Sequence, residues 1–151
     1  GPVAVAIRIG GKALGPSGLA RSGMEEFAWD ALSGKPRKPG FEIGPAIPAD
    51  IDGDGYHELV RREERNGRTE ILNAAGKVIA TFPGKVACAS KLLGEPGEQV
   101  LAFTRDGTVR IWGNENARDS ERARRRYAHP FYRANQRLTA NGYNLINLGG
   151  L

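Results

Sequence analysis

Nine residues, Asp50-Ile51-Asp52-Gly53-Asp54-Gly55-Tyr56-His57-Glu58, carry four of the 17 acidic side chains in a chain whose formal charge is +5. Carboxylates crowded in this way repel one another unless a cation lies among them. Asp50, Asp52, Asp54 and Glu58 occupy positions 1, 3, 5 and 9 of the stretch. That alternation suits a hard cation, since Ca²⁺ gathers roughly 6–8 oxygens at about 2.3–2.6 Å from carboxylates and carbonyls. Gly53 and Gly55 let so short a backbone curl, because glycine tolerates positive φ. The expected ligands of a calcium ion are therefore Asp50, Asp52, Asp54, Glu58 and the Tyr56 carbonyl; magnesium, or a solvated Asp-Gly turn with no ion, is the alternative. His57 is expected to point outward, because calcium prefers oxygen.

An EF-hand is excluded: its loop needs a bidentate glutamate at position twelve, which here is Arg61, and strands rather than helices flank the site. The chain has no H-E-x-x-H, no zinc-type cysteine pair and no G-x-S-x-G. Its Gly10-Gly11-Lys12 lacks the spacing of a phosphate loop. Cys88 is the single cysteine, so it makes no internal disulfide; in the apolar run 86–89 it is expected to be buried and inert.

The elements that must position these groups read as short strands. With 21 Gly and 9 Pro among 151 residues, most apolar runs are brief and bounded by turn residues. None approaches the ~20 residues of a membrane span. Gly1-Pro2 matches the pair left by a cleaved tag, so the start says nothing about a leader. Strands are expected at 3–9 and 26–29, with 10–23 as a loop, a hairpin turn at 31–35 with Gly34 left-handed, and Pro36, Pro39 and Gly40 ending the unit. A second unit, 41–84, offers strands at 45–49, 58–62, 69–73 and 77–82 around Asn66-Gly67 and Ala75-Gly76. A third repeats it: Gly44-Pro-Ala-Ile-Pro-Ala-Asp50 matches Gly84-Lys-Val-Ala-Cys-Ala-Ser90 at an offset of 40, then Glu58-Leu59-Val60 matches Gln99-Val100-Leu101 with one extra residue. Its hairpin, 99–104 and 108–112, turns at Arg105-Asp106-Gly107.

Self-similarity at ~40 residues with about four strands per unit is the signature of propeller blades. The fold class expected is all-β, about three propeller-like four-stranded antiparallel blades over residues 1–113, with a helical basic tail over 114–151 packed on them. The strand at 3–9 is a candidate to complete the third unit. Asp119 is a candidate N-cap for a helix over 120–127, Pro130 opens a second to about 139, and Asn141-Gly142 stops it.

The charge excess is local. Seven arginines against Asp119 and Glu121 between 118 and 137 equal the whole +5. Arg118, Arg122, Arg125 and Arg126 would share one helical face, expected to be solvated or paired with acidic surface; nucleic acid or another polyanion is the weaker reading.

A carboxylate at position 9 followed by Leu-Val resembles the calcium loops of FG-GAP and integrin-type propellers and of rhamnogalacturonan lyase propellers. Leu92, Gly94, Glu95, Glu98, Gln99 and Val100 resemble the lyases' D-x-L-G-D-x-R-E-E-V segment, with Ser90 in place of its first Asp and Gly97 nearest its Arg. Phe131-Tyr132-Arg133, Gln136 and Tyr143-Asn144 are similar to their closing Y-R and N-V-A-Y-N, whose first Asn falls on Ala140. The resemblance covers about 41–151. It implies a calcium-dependent β-eliminating lyase acting on an acidic polysaccharide outside the cytoplasm, secreted or periplasmic, with Tyr143, or Lys91, as acid or base. Against it stands a non-enzymatic adhesion or interaction domain with a purely structural calcium. Three blades do not close a propeller, so the remainder of a larger propeller or self-association is expected.

Overall fold

The structure, a computed structural model, describes residues 3–7, 17–22, 25–30, 32–38, 46–63 and 66–140. They form three antiparallel sheets followed by two helices. β1 (Val3–Ile7), β2 (Ser17–Ser22), β3 (Glu25–Asp30) and β4 (Pro36–Arg37) make a four-stranded sheet in that order.

Three expectations change here. The stretch 10–23 contains β2, whose Leu19 pairs with Val5 on one side and Ala28 on the other; strand formation follows tertiary neighbours more than its own Gly-rich composition. β1 does not complete the third sheet but pairs with β2, a nearby partner that closes a far shorter loop. Pro36 does not end the unit: it pairs with Trp29 in a two-residue edge strand, where a missing N–H is tolerated. The turn before it is as expected, with Gly34 at φ 68° and Asp30 Oδ1 accepting from Leu32 N and Ser33 N.

The second sheet is a sequential meander of β5 (Ala46–Ala49), β6 (Glu58–Glu63), β7 (Arg68–Leu72) and β8 (Val78–Pro83). The third is β9 (Lys85–Ser90), β10 (Gln99–Phe103) and β11 (Val109–Trp112). Ladder register settles the internal repeat. Ala46 pairs with Arg61 and Ala49 with Glu58, just as Val86 pairs with Ala102 and Ser90 with Gln99. The extra residue of the second copy is thus Ala87, at the register shift opposite Leu101 and Ala102, rather than in the following loop. Residues 50–57 and 91–98 are loops of equal length joining equivalent strands.

β9 lies against β5, β6 and β7. Between the sheets sits the core: Ala49, Ile51, Val60, Ile71 and Phe82 on one side, Ala89, Val100 and Ala102 on the other, with Ile47, Val86 and Trp112 at its margin. Phe82 stacks on Trp112 with centroids 4.9 Å apart, closing the outer end. Cys88, expected to be buried, is half-buried, and burial raises its thiol pKa.

After β11 the chain turns back across the loops into α1 (Glu121–Ala128) and α2 (Pro130–Ala140). Ser120, not Asp119, caps α1, its Oγ accepting from Ala123 N at 3.1 Å. Asp119 is otherwise engaged, taking Gly97 N at 2.7 Å and Lys91 Nζ at 2.9 Å. Among the described residues no helix is long and apolar enough to cross a membrane.

Candidate metal centre and the seat of the helical tail

The strands β5 and β6 end at Ala49 and Glu58 as a cross-strand pair, so residues 50–57 must return within eight positions. Asx-type bonds wind them: Asp50 Oδ1 accepts from Gly53 N at 2.9 Å, Asp52 Oδ1 from Asp54 N at 3.0 Å, and Asp54 Oδ1 from Tyr56 N at 2.7 Å. Gly53 (φ 82°) and Gly55 (φ 95°) supply the bends as expected. They also permit contact: a Cβ on Gly53 would lie 2.7 Å from the Arg118 carbonyl, and one on Gly55 would strike the Arg122 side chain.

This curl brings Asp50, Asp52 and Glu58 together, each offering a carboxylate oxygen within 4.8 Å of the others, a cluster that could hold a metal ion. Asp54 stands outside that triad. Burial, then the charges of Asp52 and its neighbours, push Glu58 up to about 8 against the pull of the Ile51 N–H bond. Burial likewise raises Asp54. Held so close, these carboxyls repel one another when ionised, a repulsion that Glu58 relieves by keeping its proton and that a bound cation would relieve in its place.

Asp50 has a second role that the spacing did not indicate. Fully buried, its Oδ2 accepts from Gly55 N at 3.0 Å and from Arg126 Nη2 at 2.6 Å, with Tyr127 Oη at 3.4 Å. Burial lifts its pKa to about 6 and Arg126 draws it back in part, so it is charged at neutral pH. Burial alone would lower the Arg126 pKa, but Glu98 and Asp50 hold it above its ordinary value. Of the arginine face expected to be solvated or paired with acidic surface, Arg126 is paired with Asp50 and 3% exposed, and Arg118 precedes the helix. Arg122, Arg124 and Arg125 remain exposed.

The loops and tail are clamped by backbone bonds. Asp52 O accepts from Arg118 N at 2.9 Å and Gly53 O from Ser120 N at 2.7 Å. Glu98 N donates to Asp50 O at 2.7 Å while Glu98 Oε2 accepts from Asp50 N at 2.6 Å. Glu98 Oε1 takes the Tyr132 hydroxyl, which in turn accepts from Lys91 N at 3.0 Å. Burial and then Glu98 raise the pKa of both Tyr127 and Tyr132, keeping them protonated donors. Gln136 completes the seat, donating to Lys91 O at 2.7 Å.

Several assigned roles shift. His57, expected to point outward, is 2% exposed; it occupies the repeat position of Glu98, which is also buried. Lys91, a candidate acid or base, is held by Asp119, by Glu95 O at 2.6 Å and over the Tyr127 ring. Tyr143 lies outside the described residues. Arg126, Glu98 and Tyr132 are the polar residues that spacing missed; the only sequence signal for them was membership of the arginine run and of the two weaker motifs.

The second loop answers the first. Gln99 Oε1 accepts from Leu92 N at 3.0 Å, just as Glu58 Oε2 accepts from the equivalent Ile51 N at 2.9 Å. Its amide nitrogen donates into the loop, to Gly97 O at 2.8 Å and to Glu95 O and Pro96 O at 3.3 and 3.4 Å. Gly97 is the repeat counterpart of Tyr56. Comparison of the chain with protein-family models, curated proteins and solved structures returns no match.

Proposed function

We propose that this chain is a calcium-binding β-propeller module in which the ion clips the loop 50–58 and so builds the platform for the helical tail. One observation carries the reading. In the loop 91–98 the amide nitrogen of Gln99 draws three carbonyls inward. Glu58 takes the equivalent position in the loop 50–57, and a carboxylate can only accept. A cation bound by Asp50, Asp52 and Glu58, with Asp54 and the Tyr56 carbonyl as further ligands, supplies the positive partner that Gln99 carries covalently. An all-oxygen donor set favours calcium over softer metals.

The β5–β8 sheet meets its neighbour through Val60 and Ile71, whereas the β9–β11 sheet meets it through Val100 and Ala89, the register equivalents of Leu59 and Pro48 on the opposite face; this front-to-back stacking supports a propeller. The resemblance to rhamnogalacturonan lyases makes an acidic polysaccharide, met outside the cytoplasm, the proposed partner, with exposed Arg122, Arg124 and Arg125 as polyanion contacts. Within that family likeness the geometry favours an interaction domain over catalysis: Lys91, a candidate acid or base, is committed to Asp119. Calorimetry with Ca²⁺ tests the centre. One site is expected, lost in Asp52→Ala, whose side chain is exposed; no heat at millimolar ion discards the reading. Ultraviolet absorbance of an unsaturated uronate product, abolished by chelator and by Tyr143→Phe, would restore the lyase.

A further inference from the structure

One buried donor on α1 is left over. Arg126 gives Nη2 to Asp50 and Nη1 to Gly55 O at 3.4 Å, but its Nε, itself buried, meets no acceptor among the described residues. Buried N–H groups are nearly always satisfied, so an orphan calls for an acceptor that the described chain does not supply. Arg126 also lines a cavity of about 410 Å³, whose other described walls are Glu121, Arg122, Arg125 and His129. Positions 122, 125, 126 and 129 follow one stripe of α1 and its C-cap, three and four residues apart.

The walls are held in place by the loop beneath. Arg118 N and Ser120 N, bonded to Asp52 O and Gly53 O, pin the start of the helix. The stem of Arg122 lies against Gly55 and its guanidinium sits 5.2 Å from the centre of the Tyr56 ring. It acts on Asp54 through charge but makes no hydrogen bond or ion pair among the described residues. Arg125 is matched by Glu121 and Arg126 by Asp50, so Arg122 is the arginine of the cavity without a paired carboxylate. His129 Nδ1 accepts from Phe131 N at 3.2 Å, which puts the ring proton on Nε2, a second donor with no acceptor among the described residues. Arg124 is turned away from the cavity, donating to Asp119 O. Donors fixed in this way lose little freedom when a ligand arrives.

Three residues thus bring unused donors to one cavity: the Arg122 guanidinium, Arg126 Nε and His129 Nε2. A carboxylate has two oxygens to offer them. A phosphate or sulfate group has at least three, carries negative charge, and suits the arginine fork. The volume falls in the range of roughly 300–1,000 Å³ that holds small organic ligands, so the group can arrive as an ester as well as a free ion.

We propose that the cavity bounded by Arg122, Arg125, Arg126 and His129 binds a phosphate or sulfate group. The site shares Arg122 and Arg125 with the polyanion contact proposed above but rests neither on the polysaccharide nor on the metal. Nuclear magnetic resonance on the labelled chain tests it, at pH 7 with chelator. The probes are inorganic phosphate, inorganic sulfate, glucose 6-phosphate and glucose 6-sulfate, with sodium chloride at matched ionic strength as the blank. The Arg126 Nε–H resonance, sheltered by burial, should shift and saturate with at least one probe. Arg122→Gln should weaken that binding roughly tenfold or more, as loss of a charge-assisted hydrogen bond does. His129→Phe should weaken it as well, both variants keeping their far-ultraviolet dichroism. Arg105→Gln, which removes the same charge from the exposed turn between β10 and β11, should leave it unchanged. Tighter binding of the esters identifies an ester as the ligand; tighter binding of the inorganic ions identifies the free ion. An Arg126 resonance unmoved by every probe, an equal shift from chloride, or equal losses in Arg122→Gln and Arg105→Gln would each overturn the site. A uronate oligomer that binds where these probes do not removes the site and leaves the polysaccharide reading, whereas the reverse pattern leaves the site and removes the polysaccharide.

Discussion

Arg126 Nη2 donates to Asp50 Oδ2 at 2.6 Å, and the two side chains are 1% and 0% exposed although 76 residues separate them. The pair joins the acidic loop to α1 and leaves Arg126 Nε buried without an acceptor among the described residues.

Removing one partner of a buried pair strands the other charge, which typically costs about 3–5 kcal/mol. Arg126→Met is therefore expected to lower unfolding free energy by about that amount in urea titrations. Arg125→Met, on the exposed side of the same turn, should change it by less than ~0.5 kcal/mol. Equal effects from the two would show that the buried pair is energetically idle.

The metal-free chain should lose stability as pH rises. Glu58 has a folded pKa of about 8 against an ordinary 4.5, so the folded state holds its proton more tightly than the unfolded state. That contribution is complete below about 4.5 and is lost as pH climbs through about 8, while calcium, competing with the same proton, should bind more tightly over that window. Thermal melts at pH 5 and pH 8.5, with chelator and with Ca²⁺, should show the falling trend only with chelator.

Exchanging the two clips should exchange the behaviours of the loops. Glu58→Gln imports the amide of Gln99, and is expected to stabilise the metal-free chain at pH 8 while abolishing calcium heat. Gln99→Ala strands Leu92 N and Leu93 N, at a cost of ~1–3 kcal/mol for each buried group left unpaired. Chemical denaturation measures both; a Glu58→Gln chain that still binds calcium would refute the analogy.

Gly53 and Gly107 separate backbone strain from contact. Both have positive φ, 82° and 85°, but a Cβ on Gly107 meets open space while one on Gly53 meets the Arg118 carbonyl at 2.7 Å. Gly107→Ala should cost only the left-handed penalty of roughly 1–2 kcal/mol. Gly53→Ala should cost more and, because the tail bonds to Asp52 O and Gly53 O, should release the tail to proteolysis between α1 and β11.

Local physics was legible in the sequence. Alternating apolar runs gave β3 and β5 to β11 to within a residue or two, glycines gave the turns at 34, 67 and 107, and Pro130 opened α2. The carboxylate alternation predicted which loop would gather Asp50, Asp52 and Glu58, because its spacing and its glycines act within nine residues. Partners across the chain were not legible. Which strand β1 pairs with, why Ser120 rather than Asp119 caps α1, and that His57 and Arg126 are buried all depend on groups brought together only when two loops and a tail converge. Composition made Arg126 one of seven interchangeable arginines, and the buried pairing with Asp50 decided which of them would surrender its water. Periodicity and glycine act through the bonds next to them, so sequence alone determined β3, β5 to β11 and the curl of the acidic loop; the neutralisation of Asp50 is a long-range electrostatic contact, and only the tertiary structure could settle it.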